Sequence, residues 1–413
     1  MRIGLLHYSG PPTVGGVEQT LLHHALALSS LGHAATLLVG VGRSVEPRLA
    51  VEVIPELSSR HPQVLAVKAE LDGGRLSPAF EDLTRRIKAR VREAVAGLDV
   101  LVVHNALTLH KNLALTAALW RLLEGRLLPR TIGWHHDFAW DRPGYRRELH
   151  PGEPWELLRR PWPGVTPVVV SAAQRDRLAR LYGLEPASIH VVPPGVDPAL
   201  SGGWTEPARE IVAALGLLQA DAVLLLPARL TRRKNVEYAL HVLAALRRAS
   251  GRDVRLLVTG PPGPHNPANQ AYLESLLELR RSLDLDRAAH FLYRLRPDAA
   301  RVPDDPTMAS LFGLCDALLF PSHDEGFGIP LLEAGLARLP VFCSDIPPFR
   351  ETAGDLASYF PLDQDPAETA ADLAARLFGD PAFQLRARVR AGYTWERIVA
   401  ERVLPLLEGA GGD

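Results

Sequence analysis

Along the chain, short apolar runs alternate with longer stretches whose apolar residues recur at helical spacing. RIGLLH (2–7), ATLLV (35–39), VEVI (51–54), VLVVH (100–104), RTIGW (130–134) and PVVVS (167–171) are continuous apolar runs, as expected of parallel strands buried on both faces. Between them, residues 17–31, 80–98 and 112–124 carry the period of amphipathic helices. Such alternation builds a doubly wound parallel sheet. The pattern restarts after the Pro/Gly-rich stretch VVPPGVDPALSGGWTEP, with AVLLLP (222–227), VRLLVT (254–259), AHFL (289–292), ALLF (317–320) and PVFC (340–343). The expectation is an α/β protein of two doubly wound domains, residues 1–196 and 197–392, facing across a cleft at their strand carboxyl ends. A terminal helix over 393–413 is expected to pack back on the first domain. The halves share no sequence repeat.

Length and charge narrow the partners. At 413 residues the chain has room for two cores, and 46 basic against 47 acidic residues leave a net charge of −1, which removes the electrostatic case for a general nucleic-acid binder. Only Lys68, Lys88, Lys111 and Lys234 among the basic residues are lysine. Cys315 and Cys343 lie on apolar segments and read as buried thiols of a reducing compartment. The opening MRIGLLHYSG is too short an apolar run for a signal peptide, and no stretch reaches the roughly 18 residues of a membrane span, so a cytoplasmic location is expected. The basic helical segment LTRRIKARVREAV (83–95) reads as a solvated helix, with an anionic membrane surface as the lesser alternative.

Four segments carry candidate chemistry. In HDEGFGIPLLEAG (323–335), Glu325 falls in a loop loosened by Gly326 and Gly328, while Pro330 opens a helix that carries Glu333. Amides at that helix start suit phosphate and the two carboxylates suit hydroxyl groups, a combination a sugar nucleotide offers. A glycine turn ahead of a dipole-favoured acid has the same spelling. In PARLTRRKNVEYAL (227–240), Arg229 closes a strand and Lys234 precedes Asn235, the expected N-cap of the next helix. Two cations there neutralise a diphosphate, whereas Arg232 and Arg233 read as solvated. In SGPPTVGGVEQTLLHHALAL (9–28), Gly15 and Gly16 permit close backbone approach in the first strand-to-helix turn. The fingerprint G-x-G-x-x-G is absent there, which demotes a nicotinamide enzyme. In RTIGWHHDFAW (130–140), His135, His136 and Asp137 end a strand among tryptophans able to stack on a sugar, and His104 and Asn105 end another. The paired aspartates at 284–286 and 363–365 lie away from these segments, and no essential metal is expected.

Together the GGVE turn, the strand-end WHHD, the pair Arg229 and Lys234, and the E-x7-E of Glu325 and Glu333 resemble the large retaining glycosyltransferase family with the GT-B fold, two Rossmann-like domains, of the family 4-like group 1 type. VSAAQRDRLARLYGL, IHVVPPGVD, SDIPPFRE and TWERI extend the resemblance over nearly the whole chain. It implies a hexosyltransferase using a nucleotide-diphosphate sugar donor and no cofactor. Arg229 and Lys234 would hold the diphosphate, Glu325 the donor hydroxyls and Glu333 the ribose. Gly15 and Gly16 would approach the diphosphate, the backbone of Gly326, Phe327, Gly328 and Ile329 would line the sugar, and His136, with His135 in reserve, would sit by the reactive carbon. The acceptor hydroxyl would attack on the face the diphosphate leaves, the departing phosphate oxygen taking its proton. The acceptor, whether a saccharide, a small metabolite or a lipid-linked sugar, is not specified. An epimerase or hydrolase, or a non-catalytic sugar-nucleotide binder, on the same architecture remain alternatives. The chain departs from the family's usual Asn-Gly at the linker, with Pro194, Gly195, Val196 and Asp197, and has Leu339 where a glycine is common.

Overall fold

A computed structural model describes residues 1–264, 266–295 and 303–409. The chain divides into two compact units, one made of Met1–Gly195 with the segment from Trp395 on, the other of Val196–Thr394. Residues 410–413 of the expected terminal helix lie outside the described residues.

The first unit holds seven parallel strands: β1 (Arg2–His7), β2 (Ala34–Val39), β3 (Ala50–Val53), β4 (Val100–His104), β5 (Arg130–His135), β6 (Val165–Val169) and β7 (His190–Val191), in the order β3-β2-β1-β4-β5-β6-β7. The second holds six: β8 (Ala222–Leu226), β9 (Val254–Val258), β10 (Ala289–Phe291), β11 (Ala317–Phe320), β12 (Val341–Ser344) and β13 (Ser358–Phe360), in the order β10-β9-β8-β11-β12-β13. The central strands β4, β8 and β11 are buried at every position, which is why they read as unbroken apolar runs. Strands β7 and β13, two and three residues long, carry too little pattern to be read from sequence.

The basic helix spans Pro78–Ala94, and Phe80, Leu83, Ile87 and Val91 on its apolar face are buried in the first unit's core. That face is therefore spent on the protein, and the arginines stand outward, with Arg85 on Asp82 and Arg86 on Gln63. Among the described residues no helix is long and apolar enough to cross a membrane. Cys315 and Cys343 are buried free thiols, and desolvation pushes Cys343 up to about 12.

The terminal segment returns to the first unit. Ile398, Val399, Val403, Leu406 and Leu407 join the core beside Leu21, Ala25 and Leu28, and Arg130 donates to the carbonyls of Leu406 and Leu407 at 2.7 and 2.9 Å. Gly195 is demanded here, because a Cβ would stand 2.9 Å from the Trp395 Cα. At the departing linker, Asp197 caps the short helix Pro198–Ser201 by accepting from the amides of Ala199 and Leu200. Five fully buried aliphatic side chains contribute roughly 10 kcal/mol at about 2 kcal/mol each, comparable to the whole stability of a domain. A chain ending at Thr394 is expected to lose the first unit's cooperative urea transition while keeping the second's; two intact transitions would contradict that account.

Candidate active site

In a doubly wound sheet, ligands bind outside the strand carboxyl ends where the strand order reverses. In the second unit that point lies between the paired strands β8 and β11. The loop after β8 carries Arg229 through Lys234 and the loop after β11 carries Glu325 through Gly328, so the two charged motifs leave adjacent strands at the same edge. The amide of His323 donates to the carbonyl of Arg233 at 2.8 Å, joining the loops through their backbones.

Across this junction the Lys234 ammonium bonds Glu325 Oε1, Ser322 Oγ donates to the same oxygen at 2.9 Å, and Arg233 reaches Oε2 at 3.1 Å. The side chains of Lys234 and Glu325 are only 11% and 10% exposed. Burial draws the Lys234 ammonium below its ordinary pKa, while the Glu325 bond pulls the other way. The expectation that Arg233 is merely solvated is therefore corrected: it holds the carboxylate's second oxygen. Arg232 lies over the Tyr272 ring. Asn235 is the N-cap of the helix Val236–Ser250, as expected, but it makes no side-chain capping bond. It sits in the left-handed region, φ 50°, and the Tyr272 hydroxyl accepts from the first helical amide, that of Val236, at 3.2 Å and donates to Glu237. Tyr272 lies 36 residues beyond Val236, a separation that no local motif encodes.

Arg229 stands on a wall shared by two cavities. One, of about 420 Å³, is lined by Arg229, Thr231, Arg233, Lys234, Asn266 and Asn269. The other, of about 630 Å³, is more apolar, with Met308, Phe312 and Leu336 beside Thr259, Asp305 and Glu333. Burial and the neighbouring Asp305 raise the Glu333 carboxyl above its usual range. Glu333 projects from the helix Ile329–Leu336, which Pro330 opens and Gly328 precedes at φ 106°, where a Cβ would meet the Phe349 ring at 2.9 Å. Gly326 has open space around its Cα. Phe327 and Ile329 are exposed, and the Phe327 carbonyl accepts from Thr352. Arg229, Lys234, Glu325 and Glu333 are thus strung along one carboxyl edge: a cationic recess, then an apolar one with an acid in its lining.

The first unit has its own switch point, between β1 and β4. Gly15 is the N-cap of the helix Gly16–Ser30, and nothing lies within 4 Å of a Cβ built on Gly16, so that helix start is open. Glu18 turns back to accept from Ser9 Oγ at 2.6 Å, and His7 lies 4.0 Å away. His7 donates through Nδ1 to the His104 carbonyl at 3.0 Å, and His104 Nδ1 lies 3.4 Å from His136 Nε2. Asn105, at φ 58°, accepts the His136 amide at 2.7 Å. Desolvation, aided by His7, holds His136 at about 4, so it is a neutral imidazole at pH 7. His135 and His136 diverge: His135 packs against Phe138 and Tyr182, whereas His136 joins His104. Trp134 corrects another expectation, since it is 1% exposed and stacks on His104 at 5.5 Å, beyond the reach of a sugar. Trp140 is covered by Arg159. Glu18, Ser9 and His7 escaped sequence reasoning, although Glu18 lay inside the GGVE motif. Among the described residues no three His, Cys, Asp or Glu side chains converge as metal ligands.

Residues 14–200 match the family model Glycosyltransferase Family 4 and residues 208–393 match Glycosyl transferases group 1. The mannosylglucosylglycerate synthase of Petrotoga mobilis is 25% identical, over 86% of this chain and 85% of its own. A D-inositol 3-phosphate glycosyltransferase of Kineococcus radiotolerans is 32% identical over 54% of this chain, and the match spans 52% of that relative. Among solved structures, WaaG, a glycosyltransferase involved in lipopolysaccharide biosynthesis, aligns over 99% of this chain and 100% of its own at 17% identity and a TM-score of 0.34. Two family models in tandem, one on each doubly wound unit, identify the chain as a GT-B glycosyltransferase of the family 4, group 1 class.

Proposed function

We propose that this glycosyltransferase moves a hexosyl group from a nucleotide-diphosphate sugar to an acceptor hydroxyl, with retention of anomeric configuration and without a metal or other cofactor. The observation that carries the reading is the Lys234, Arg233 and Arg229 group at one carboxyl edge, backed by a carboxylate and opening beside a larger apolar recess. A diphosphate requires such cations when no metal neutralises it. In this reading Arg229 and Lys234 take the diphosphate, Glu325 the sugar hydroxyls, and Glu333 the ribose, with the base in the larger recess. The backbone of Gly326, Phe327, Gly328 and Ile329 lines the sugar. The first unit takes the acceptor, with Gly15 and Gly16 approaching the diphosphate and His136 by the reactive carbon. The acceptor oxygen attacks the anomeric carbon on the face from which the diphosphate leaves, and the departing phosphate oxygen receives its proton.

The test is a panel of nucleoside diphosphates and their hexose conjugates, each with EDTA present. At least one is expected to raise the melting temperature, since a ligand held by the native state alone must do so, and to support transfer whose product keeps the donor's anomeric configuration by NMR. Dependence on an added divalent cation, or an inverted product, would overturn the corresponding part. Donor consumed at the same rate with and without any acceptor would point to hydrolysis.

A further inference from the structure

The peptide unit that joins Ser322 to His323 is fixed at both of its polar ends. Its carbonyl accepts from Ser344 Oγ, which stands at the end of the neighbouring strand β12, and its amide donates to the Arg233 carbonyl at 2.8 Å. A planar peptide held at both ends sets the direction in which Ser322 projects its side chain. Ser322 and Ser344 are both fully buried. Glu325, three residues on, is tied through its carboxylate instead.

That carboxylate has three side-chain partners among the described residues, Lys234 and Ser322 on Oε1 and Arg233 on Oε2. They differ in what else they can bind. Lys234 and Arg233 line the cationic recess and, on the reading proposed above, face the diphosphate. The Ser322 hydroxyl is a neutral donor, and Ser322 is 0% exposed and is not among the described residues that line either recess, so a phosphate does not reach it. Ser322 is the partner that stays when the cations turn to the ligand. We propose that Ser322 is a positioning residue of the transfer reaction. Resting on that reading of the site, its hydroxyl holds Glu325 Oε1 in the donor complex and leaves Oε2 for the sugar hydroxyls.

The bond from Ser322 to Glu325 is present before the diphosphate enters and persists afterwards, so it cancels from diphosphate affinity and shows in turnover. Ser322→Ala is expected to lower kcat about tenfold, the scale of a hydrogen bond to a charged group, while calorimetry gives the parent's affinity for a nucleoside diphosphate. Ser322→Thr keeps the hydroxyl and should recover most of that loss. Ser344→Ala frees the Ser322 carbonyl but leaves its side chain, and should lower kcat by a smaller factor, again at constant diphosphate affinity. In a Glu325→Ala background Ser322→Ala should leave the residual transfer almost unchanged, whereas a serine that only supports the fold would lower turnover by the same factor in both backgrounds. Turnover of a folded Ser322→Ala enzyme close to the parent's, a matching loss of diphosphate affinity, or the full loss repeated in the Glu325→Ala background would overturn the inference while leaving the site as proposed. Undiminished transfer by Glu325→Ala alone would overturn the placement of Glu325 on the sugar, and the role of Ser322 with it.

Discussion

Glu325→Ala is expected to cut glycosyl transfer by about 10³-fold or more, the scale on which removal of a charge-stabilising group acts in a preorganised site, while nucleotide diphosphate binds at least as tightly as before. The second half follows from the free enzyme's geometry. Glu325 occupies both Lys234 and Arg233, so it competes for those cations with any phosphate that enters. Lys234→Ala is expected to lose both turnover and diphosphate affinity. The stabilities should differ as well. Losing Lys234 leaves Glu325 still bonded to Arg233 and Ser322, whereas losing Glu325 leaves two like charges side by side with no carboxylate between them. Glu325→Ala is therefore the more destabilising of the two, though by less than the roughly 3–5 kcal/mol of breaking a fully buried pair, because Arg233 is 53% exposed. A folded Glu325→Ala enzyme with undiminished turnover would remove Glu325 from the mechanism.

What the sequence disclosed and what it withheld divide by distance along the chain. Strands such as Val100–His104 and Ala317–Phe320 were legible to the residue because full burial leaves no polar position to blur their ends. The loop after a central strand of a doubly wound sheet opens at the carboxyl edge, so Arg229, Lys234 and Glu325 could be placed on one wall from strand order alone. Arg233 could not be told from Arg232 by any local pattern, since its partners Asp324 and Glu325 lie 91 and 92 residues away. Asn235 was legible as the N-cap from its type, but the tyrosine from another helix that accepts the first helical amide was not. Trp134 looked available to a sugar because an aromatic at a strand end is exposed or buried according to which face it takes, and that register is invisible without the neighbouring strands.

Lowering the pH from 7 to 5 is expected to reduce the melting temperature of the first unit by about 10–20 °C. Burial holds His24 and His135 at about 3 and His136 at about 4, each against an ordinary 6.5. His7 and His104 are lowered by the same cause. A folded-state value below the unfolded one means that above pH 6.5 both states are neutral and no stability is lost. Between 6.5 and the folded value only the unfolded chain takes the proton, so stability falls as the pH drops. At pH 5 each of the three groups with a stated value costs about 2 kcal/mol, together about 6 kcal/mol, and a unit of this size loses roughly 2–4 °C per kcal/mol. The carboxylates do not confound the window, since Glu148, held at about 2 by Lys68, begins to lose its contribution only near its ordinary value of 4.5. His24 isolates the effect. Neither of its nitrogens has a hydrogen-bond partner, and it packs edge-on to Trp134 and Trp395, so an aliphatic side chain serves there equally well. His24→Leu should melt no lower than the parent at pH 7 and should remove about a third of the pH-dependent loss. Coincident melts at pH 5 and 7, or a His24→Leu protein as acid-sensitive as the parent, would show that the histidines are not what makes this unit acid-labile.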